Sequence, residues 1–537
     1  MTKRTTCLYL FLIILVALGL RLINLGTEPF WGDEALSFDI TKHYTQDISG
    51  LLLYLKTIEV HPPLYYLILN IWCKFFGWTE FASRALSLFF GLGVVLLGFW
   101  LADILFHQRK LSLISAFLLA VLPFQVEFSQ EARPYMFFCF CAVLSAIIYW
   151  RYREHNKIFL IPAYILVTLA GLFLHYSYLF FAASLGLYWL FEITLSNQKP
   201  RAQKIYLWLG VHLFIFLAYF FQGINLLYKM FLGDHLLFDT PRTLSANRPV
   251  AFFESVFNQL IWLSKNEARP LSEIVVIFVF KIVFLAGLVW LIFRQREKFL
   301  SALSSGRQPL IYLFVLTLLP VVFFALSPFS VAYAPIFERH VITSSVFLAL
   351  LLAYLVSFFD FKKRILVVAL FLLSIMNPLI TIVSDDSLWD GYFRLKSIAE
   401  QINLNYRQGD LVLVSSTIGR SDVNHYLRGD IPSLSLYPLN LLDYHYDFLS
   451  SRETLGLNEN ESQLRSLLDP SKDYGRVDRK MDYILKKYQP RRIWFISDKD
   501  YNATKWFEEK HWRRAMDSLG ELHPLKLYDS HVPALAN

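Results

Sequence analysis

The sequence predicts a polytopic α-helical membrane protein with a small α/β domain at its C-terminal end. Three observations support this: 55% of the 537 residues are hydrophobic, only 18% are charged, and the apolar residues form long runs. A water-soluble globule of several domains does not contain so much apolar sequence. From Asp385 onward the composition becomes polar, so residues 1–384 form the predicted transmembrane domain and residues 385–537 the α/β domain.

The apolar runs are long enough to cross a bilayer. A helix needs about 20 apolar residues to span a hydrocarbon core of about 30 Å. No small-residue cleavage site follows the first run, which is therefore predicted to be a retained signal anchor. The sequence predicts about eleven spans, at 7–25, 85–106, 111–128, 135–150, 158–174, 177–195, 205–227, 272–293, 309–328, 341–359 and 364–383.

The segment 61–77 is ambiguous because it is short, begins with two prolines and contains Lys74. If it lies in the plane of the membrane, all the basic loops fall on one side, which the positive-inside rule makes cytoplasmic. We therefore expect an in-plane helix, a multi-pass protein of the inner (plasma) membrane and an extracytoplasmic C-terminus. The basic loops lie at Lys3/Arg4, Arg109/Lys110, Arg151/Arg153/Lys157, Lys199/Arg201/Lys204, Arg294/Arg296/Lys298 and Lys362/Lys363/Arg364.

Two regions outside the spans have patterns of their own. Segments 410–415 and 492–497 are short and apolar, which predicts buried strands of the α/β domain. Neither is followed by a glycine-rich phosphate-binding motif, so a nucleotide site there has little support. The connection 228–271 carries large apolar residues at helical spacing, and we expect an amphipathic helix lying on the membrane.

The distribution of the net charge of +8 and the positions of the four cysteines exclude certain partners and sites. The basic residues lie in short runs between apolar segments rather than along one face, so no nucleic-acid partner is expected. The four cysteines all lie inside apolar stretches, which argues against a disulfide framework or a cysteine-based metal site. Membrane lipids are the expected surroundings of most of the chain.

Two adjacent carboxylates, Asp33 and Glu34, follow the first span. Ionisable groups at the edge of a bilayer are costly to desolvate and tend to bind ions or perform acid–base chemistry. Transfer of a sugar to a hydroxyl needs a base for the acceptor proton and a positive group for the departing phosphate. We predict that Asp33 is the base, and that Glu34 holds acceptor or metal. The alternative is that Asp33 only N-caps a helix running towards His43.

Other polar residues on the predicted outer side are candidate substrate contacts. His61 precedes the in-plane helix at its aqueous rim, although it could equally be a polar residue before a helix that begins with proline. Arg339 is the first choice for a phosphate, with snorkelling to ordinary lipid as its alternative. His175 is expected to be a satisfied interfacial histidine, and His425 belongs to no motif. The remaining predicted contacts are Glu131, Arg133, Tyr135 and His340.

Three motifs in this order, Trp31–Ala35, His61–Tyr66 and Gln130–Tyr135, resemble those of the GT-C membrane glycosyltransferases. Within that family the motifs resemble those of the bacterial branch related to protein O-mannosyltransferases and to the aminoarabinose transferases of lipid A. The resemblance covers about the first 385 residues. It implies inverting transfer from a polyprenyl-phosphate sugar at the outer face, with Asp33 as base and Arg339 or Arg133 near the phosphate. No metal is firmly implied, although a divalent cation is compatible with the family.

Two other function classes fit a chain with many spans. A transporter or flippase is expected to show internal repeats and ionisable residues near the centres of its spans, whereas the charges here cluster at one face. A membrane sensor would use the α/β domain to bind a ligand, but eleven spans exceed what anchoring requires. A glycosyltransferase is therefore the favoured class, with a protein, lipid or glycan as acceptor.

Overall fold

The structure, a computed structural model, divides into two compact units. The first unit comprises Met1–Thr27, Val60–Met230 and Thr240–Leu388, and the second comprises Glu28–Glu59, Phe231–Asp239 and Trp389–Asn537. The residues that the structure describes are 2–57, 59, 61–195, 201–231, 307–327, 337–383, 390–414, 423, 425–435, 485–486, 488–496, 513–517 and 525–529.

Helices dominate the described residues. In chain order they are α1 Lys3–Leu22, α2 Gly32–His43, α3 Ile48–Thr57, α4 Leu64–Phe76, α5 Glu80–Phe106, α6 Arg109–Val121, α7 Pro123–Phe128, α8 Tyr135–His155, α9 Leu160–Leu174, α10 Tyr178–Leu195, α11 Arg201–Phe231, α12 Arg307–Leu326, α13 Ile342–Ser357, α14 Phe361–Val383 and α15 Asp390–Asn405. A 3-10 helix, Phe337–Val341, leads into α13.

Most of the predicted spans correspond to helices of the first unit, which confirms a polytopic helical membrane protein, although the predicted span 158–174 forms α9, a helix of only 15 residues. Within the described part of the chain, seven helices are long and apolar enough to cross a membrane. The ambiguous segment forms α4, a helix of 13 residues, which is shorter than the about 20 that a crossing needs. The predicted span 272–293, and all of the predicted amphipathic helix beyond Phe231, lie outside the described residues.

The predicted span 111–128 is two helices, α6 and α7, separated at Leu122. Pro123 is the first residue of α7, and Leu122 has extended backbone angles (φ −62°, ψ 118°). Proline lacks an N–H group and disfavours helical angles in the residue before it, so the helix ends here. The last carbonyl groups of α6 are thereby left without partners inside their own helix.

Arg21 of α1 uses those carbonyl groups. Its guanidinium is fully buried and donates to the carbonyl oxygens of Leu119 at 3.1 Å and Ala120 at 2.8 Å, and to Ser129 Oγ at 3.0 Å. A cation at a helix C-terminus is favoured by the helix dipole. Gly91 of α5 makes the arrangement possible, because a Cβ atom there would collide with the Ser129 side chain. Arg21 therefore holds α1 against the break between α6 and α7.

The second unit contains a five-stranded mixed sheet with the order β2-β1-β3-β5-β4. Its strands are β1 Asp410–Val414, β2 Ser433–Ser435, β3 Arg492–Ile496, β4 Arg513–Asp517 and β5 Leu525–Asp529. Strand β1 pairs in parallel with β2 and β3, and β5 pairs antiparallel with β3 and β4. Both strands predicted from the sequence, β1 and β3, are confirmed as buried neighbours in the sheet. Helices α2 and α3 belong to this unit, although they precede most of the membrane spans in sequence.

Candidate functional site

The two predicted carboxylates, Asp33 and Glu34, lie in the first turn of α2 in the second unit. Glu34 is 1% exposed, and its Oε2 accepts the backbone N–H of Trp31 at 3.4 Å. Asp33 is half-buried, and its carbonyl oxygen accepts from Ser37 Oγ at 2.8 Å. Trp31 is the N-cap residue. The N-cap position considered for Asp33 is therefore occupied by Trp31, and the side chain that accepts the N-cap backbone N–H is that of Glu34.

In the first unit, the predicted contacts His61, Arg133 and Tyr135 lie at the starts of α4 and α8. Arg133 is 2% exposed, and its Nη2 donates to His61 Nε2 at 3.4 Å. The carbonyl oxygen of Arg133 accepts from Ser87 Oγ at 3.0 Å, which fixes the backbone just before α8. Glu131 is also buried, and its carbonyl oxygen accepts the Arg133 N–H at 2.8 Å. A buried cation thus lies beside a histidine at the helix termini.

Arg339 and His340 join the same group of residues from the 3-10 helix before α13. Arg339 is 8% exposed, and its Nη1 donates to the Tyr135 hydroxyl at 3.2 Å. The Arg339 guanidinium carbon lies 6.0 Å from the centre of the Tyr135 ring. His340 Nδ1 is 2.7 Å from Ser177 Oγ. The structure therefore brings together five of the predicted contact residues, namely His61, Arg133, Tyr135, Arg339 and His340.

Two further residues belong to this group, and neither was among the predicted substrate contacts. His175 and Tyr176 form the turn between α9 and α10. The Tyr176 ring stacks on His61 (centroids 5.6 Å apart), on His175 (4.4 Å) and on His340 (5.7 Å). A central tyrosine thus links three histidines from three separate parts of the chain. The only signal in the sequence is an aromatic turn between two spans, which is a common feature of membrane interfaces.

The hydrogen bonding of His175 defines its tautomer. Its Nδ1 accepts the backbone N–H of Ser177 at 3.1 Å, so in the neutral ring the proton lies on Nε2. The side chain is fully buried, and Nε2 has no hydrogen-bond partner among the described residues. Buried polar atoms are normally paired, and an exception calls for an explanation. An N–H donor for a bound ligand is one such explanation.

Burial lowers the pKa of His175 well below its ordinary value of about 6.5, and the positive and titratable side chains around it lower it further. The ring is consequently neutral in the folded protein at physiological pH. The unfolded chain binds this proton near pH 6.5 whereas the folded chain does not, so acidification below that pH costs stability. The neutral, buried His175 therefore costs no stability at a pH above its pKa in the unfolded chain. As the pH falls through that pKa, the free energy of unfolding decreases.

We name the residues His61, Arg133, Tyr135, His175, Tyr176, Arg339 and His340 the cationic cluster. It holds two buried guanidinium groups, a neutral N–H donor and aromatic faces. Guanidinium groups bind phosphate through paired charge-assisted hydrogen bonds. The chemistry of the cluster therefore suits an oxyanion. Among the residues that the structure describes, no group of three or more His, Cys, Asp or Glu side chains is arranged to hold a metal ion.

Two solved structures share this fold. The crystal structure of ArnT from Cupriavidus metallidurans in the apo state has a TM-score of 0.62 at 11% identity, and covers 98% of each chain. The crystal structure of ArnT from the same organism bound to undecaprenyl phosphate has a TM-score of 0.60 at 12% identity, and covers 100% of each chain. Neither a protein-family model nor a curated protein sequence matches the chain. The likeness confirms the GT-C-like membrane fold that the motifs predicted.

Proposed function

We propose that this multi-pass membrane protein is a glycosyltransferase that moves a sugar from a polyprenyl-phosphate donor to an acceptor hydroxyl. The observation that carries the proposal is the cationic cluster, with Arg133 and Arg339 both buried in a chain of GT-C-like fold. A guanidinium group binds phosphate through paired charge-assisted hydrogen bonds, so both arginines suit an anionic ligand. A phosphate of a lipid-linked sugar supplies such a charge. The undecaprenyl phosphate bound in the second ArnT structure is a lipid phosphate of this class.

In the proposed reaction, Asp33 accepts the proton of the acceptor hydroxyl as its oxygen attacks the anomeric carbon. The bond between that carbon and the phosphate oxygen breaks, and polyprenyl phosphate leaves with the electron pair. Because attack and departure occur on opposite faces, the configuration of the sugar is inverted. Charge develops on the leaving phosphate, where Arg339 and Arg133 stabilise it most in the transition state. The two carboxylates have different tasks: Glu34 caps α2, and the more accessible Asp33 is the base.

The proposal is tested with purified protein in nanodiscs, using undecaprenyl phosphate and undecaprenol as probes. They differ only in the phosphate, so tight binding of the first and weak binding of the second supports a phosphate site. Transfer is then assayed with a panel of undecaprenyl-phosphate sugars. Mass spectrometry detects the undecaprenyl phosphate that is released from the donor. The acceptor class is sought by comparing envelope glycans and glycolipids of strains with and without the protein. Equal binding of both lipids, with no release from any donor, contradicts the proposal.

We propose that the reaction takes place at the extracytoplasmic side of the membrane. This requires a particular topology, which reporter fusions can test. Reporter fusions after residues 155, 200, 300 and 362 are expected to report a cytoplasmic location, because basic loops precede or follow these positions. Fusions after residues 240 and 537 are expected to report an external one. A cytoplasmic signal after residue 537 contradicts the arrangement, since it places the α/β domain on the side opposite to the proposed chemistry.

His175 offers a test of the phosphate site through its tautomer. In His175→Gln the side-chain amide nitrogen replaces Nε2, the proposed donor, whereas in His175→Asn it replaces Nδ1. We expect His175→Asn to weaken undecaprenyl-phosphate binding about tenfold, as loss of a buried hydrogen bond does, and His175→Gln to retain most of it. Thermal melting identifies any general loss of folding. Equal loss in both variants, or none in either, contradicts the donor role. Because His175 stays neutral, we expect no change in binding between pH 6 and 8 that depends on its presence.

A further inference from the structure

The α/β domain contacts α2 through two consecutive residues, His425 and Tyr426. They lie in the connection between β1 and β2, within the same unit as α2. His425 Nδ1 is 2.9 Å from Asp39 Oδ1, and both side chains are nearly buried, at 11% and 12% exposed. Because a carboxylate only accepts, the imidazole donates from Nδ1. The pair connects residues 386 positions apart in the sequence.

The ring of His425 also packs against the aromatic residues of the α2 region. Its centroid is 5.1 Å from the Phe30 ring and 5.1 Å from the Phe38 ring, in edge-on geometry. The two phenylalanine rings lie 5.0 Å apart. Edge-to-face contacts of this kind are favourable for aromatic rings. The histidine thus contacts Phe30, two positions before α2 begins, and Phe38 in the second turn of the helix.

Tyr426 forms a hydrogen bond with the backbone just before α2. Its hydroxyl accepts the backbone N–H of Phe30 at 2.7 Å, directly before the N-cap residue Trp31. On the domain side, the carbonyl oxygen of Tyr426 accepts from Asn403 Nδ2 of α15 at 2.8 Å. Lys396 Nζ, also on α15, lies 5.3 Å from the centre of the tyrosine ring. Tyr426 is therefore fixed to the domain on one side and to the backbone before Asp33 on the other.

We infer that His425 and Tyr426 are positioning residues, through which the α/β domain sets the location and orientation of the α2 segment that carries Asp33. The inference rests on the proposed function, because it takes Asp33 as the base. Helix α2 has 12 residues, a length at which an isolated helix is marginal in water, so its place depends on what it packs against. Asp39 lies six residues beyond Asp33, about 9 Å along the helix axis. A misplacement of about 1 Å costs about 100-fold in rate in oriented reactions.

The test compares four single variants with the wild-type protein by steady-state kinetics and by hydrogen–deuterium exchange of the peptide spanning α2. His425→Leu removes the donor, and His425→Asn places an amide N–H where Nδ1 was. Tyr426→Phe removes the acceptor of the Phe30 N–H. Arg428→Ala is the matched control, because its side chain is 50% exposed and pairs with Asp430 in the same connection.

We expect His425→Leu to lower kcat at least tenfold without a matching rise in the donor KM, and to speed exchange in α2. His425→Asn is expected to recover most of both, Tyr426→Phe to give a smaller loss, and Arg428→Ala to match the wild type. The separation of kcat from donor KM distinguishes positioning from general unfolding, which lowers the amount of active enzyme and the melting temperature.

Two outcomes overturn the inference. The first is unchanged exchange in α2 of His425→Leu, whatever the activity. The second is that α2 exchanges faster in His425→Leu while kcat keeps its wild-type value, given that Asp33→Asn is inactive. If Asp33→Asn transfers sugar normally, the proposed base fails instead. The exchange measurement then still shows whether the contact of His425 with Asp39 fixes α2. Failure of the positioning role is thus distinguishable from failure of Asp33 as the base.

Discussion

Asp33→Asn is expected to abolish sugar transfer while leaving expression and donor binding near normal. The asparagine side chain is almost the same size as the carboxylate, but it cannot accept a proton from an acceptor hydroxyl. General-base catalysis contributes about 10²–10⁴ in rate. As a first-turn carboxylate of α2, Asp33 otherwise contributes only about 0.3–1 kcal/mol through the helix dipole, so a purely structural role predicts nearly normal activity for Asp33→Asn. Turnover with a saturating donor measures the difference.

The neighbouring carboxylate provides the control. Glu34→Gln keeps an oxygen that can accept the Trp31 N–H, so α2 retains its cap, and the effect on transfer is expected to be mild. The full burial of Glu34 makes a moderate loss of stability the main consequence. If Glu34→Gln is inactive and Asp33→Asn is tolerated, the base is Glu34 and the assignment of the two roles is reversed.

Arg339→Ala is expected to lower transfer by about 10²–10³, the loss typical when one group that stabilises a developing oxyanion is removed. The loss falls on donor use more than on acceptor use, because the guanidinium acts on the leaving phosphate. Arg339→Lys is expected to recover only part of the rate, since an ammonium group cannot form the paired hydrogen bonds of a guanidinium. Rates measured at varied donor and fixed acceptor concentration check the expectation.

A matched control for Arg339 is Arg109, whose side chain is 49% exposed and pairs with Asp103. An exposed ion pair of this kind contributes little, so Arg109→Ala is expected to transfer sugar at the wild-type rate. If Arg339→Ala and Arg339→Lys also reach the wild-type rate, the phosphate role passes to Arg133. In that case Arg339 serves as an anchor for ordinary lipid, the alternative that its position beside a span suggested.

The sequence predicted the helices well because each span is a long apolar run, and the strands β1 and β3 well because each is a short one. It did not show that the Glu34 side chain accepts the Trp31 N–H, because which of two adjacent carboxylates makes that contact depends on where the helix begins. It did not indicate the tautomer of His175 or that its buried Nε2 has no partner in the described part of the chain, because both depend on packing. The contact of His425 with Asp39 could not be predicted from the sequence, because the two residues are 386 positions apart.

The buried guanidinium of Arg21 also bears on how the protein is made. Helix α1 leaves the ribosome before α6, and the carbonyl groups that receive its arginine belong to residues synthesised 98 and 99 positions later. At a synthesis rate of about 5–20 residues per second, this interval lasts on the order of 10 s. Throughout that time the charged side chain has to extend to the membrane surface, where water and lipid headgroups solvate it. Helix α1 therefore enters the bilayer before α6, yet it cannot take its final place until α6 has been inserted.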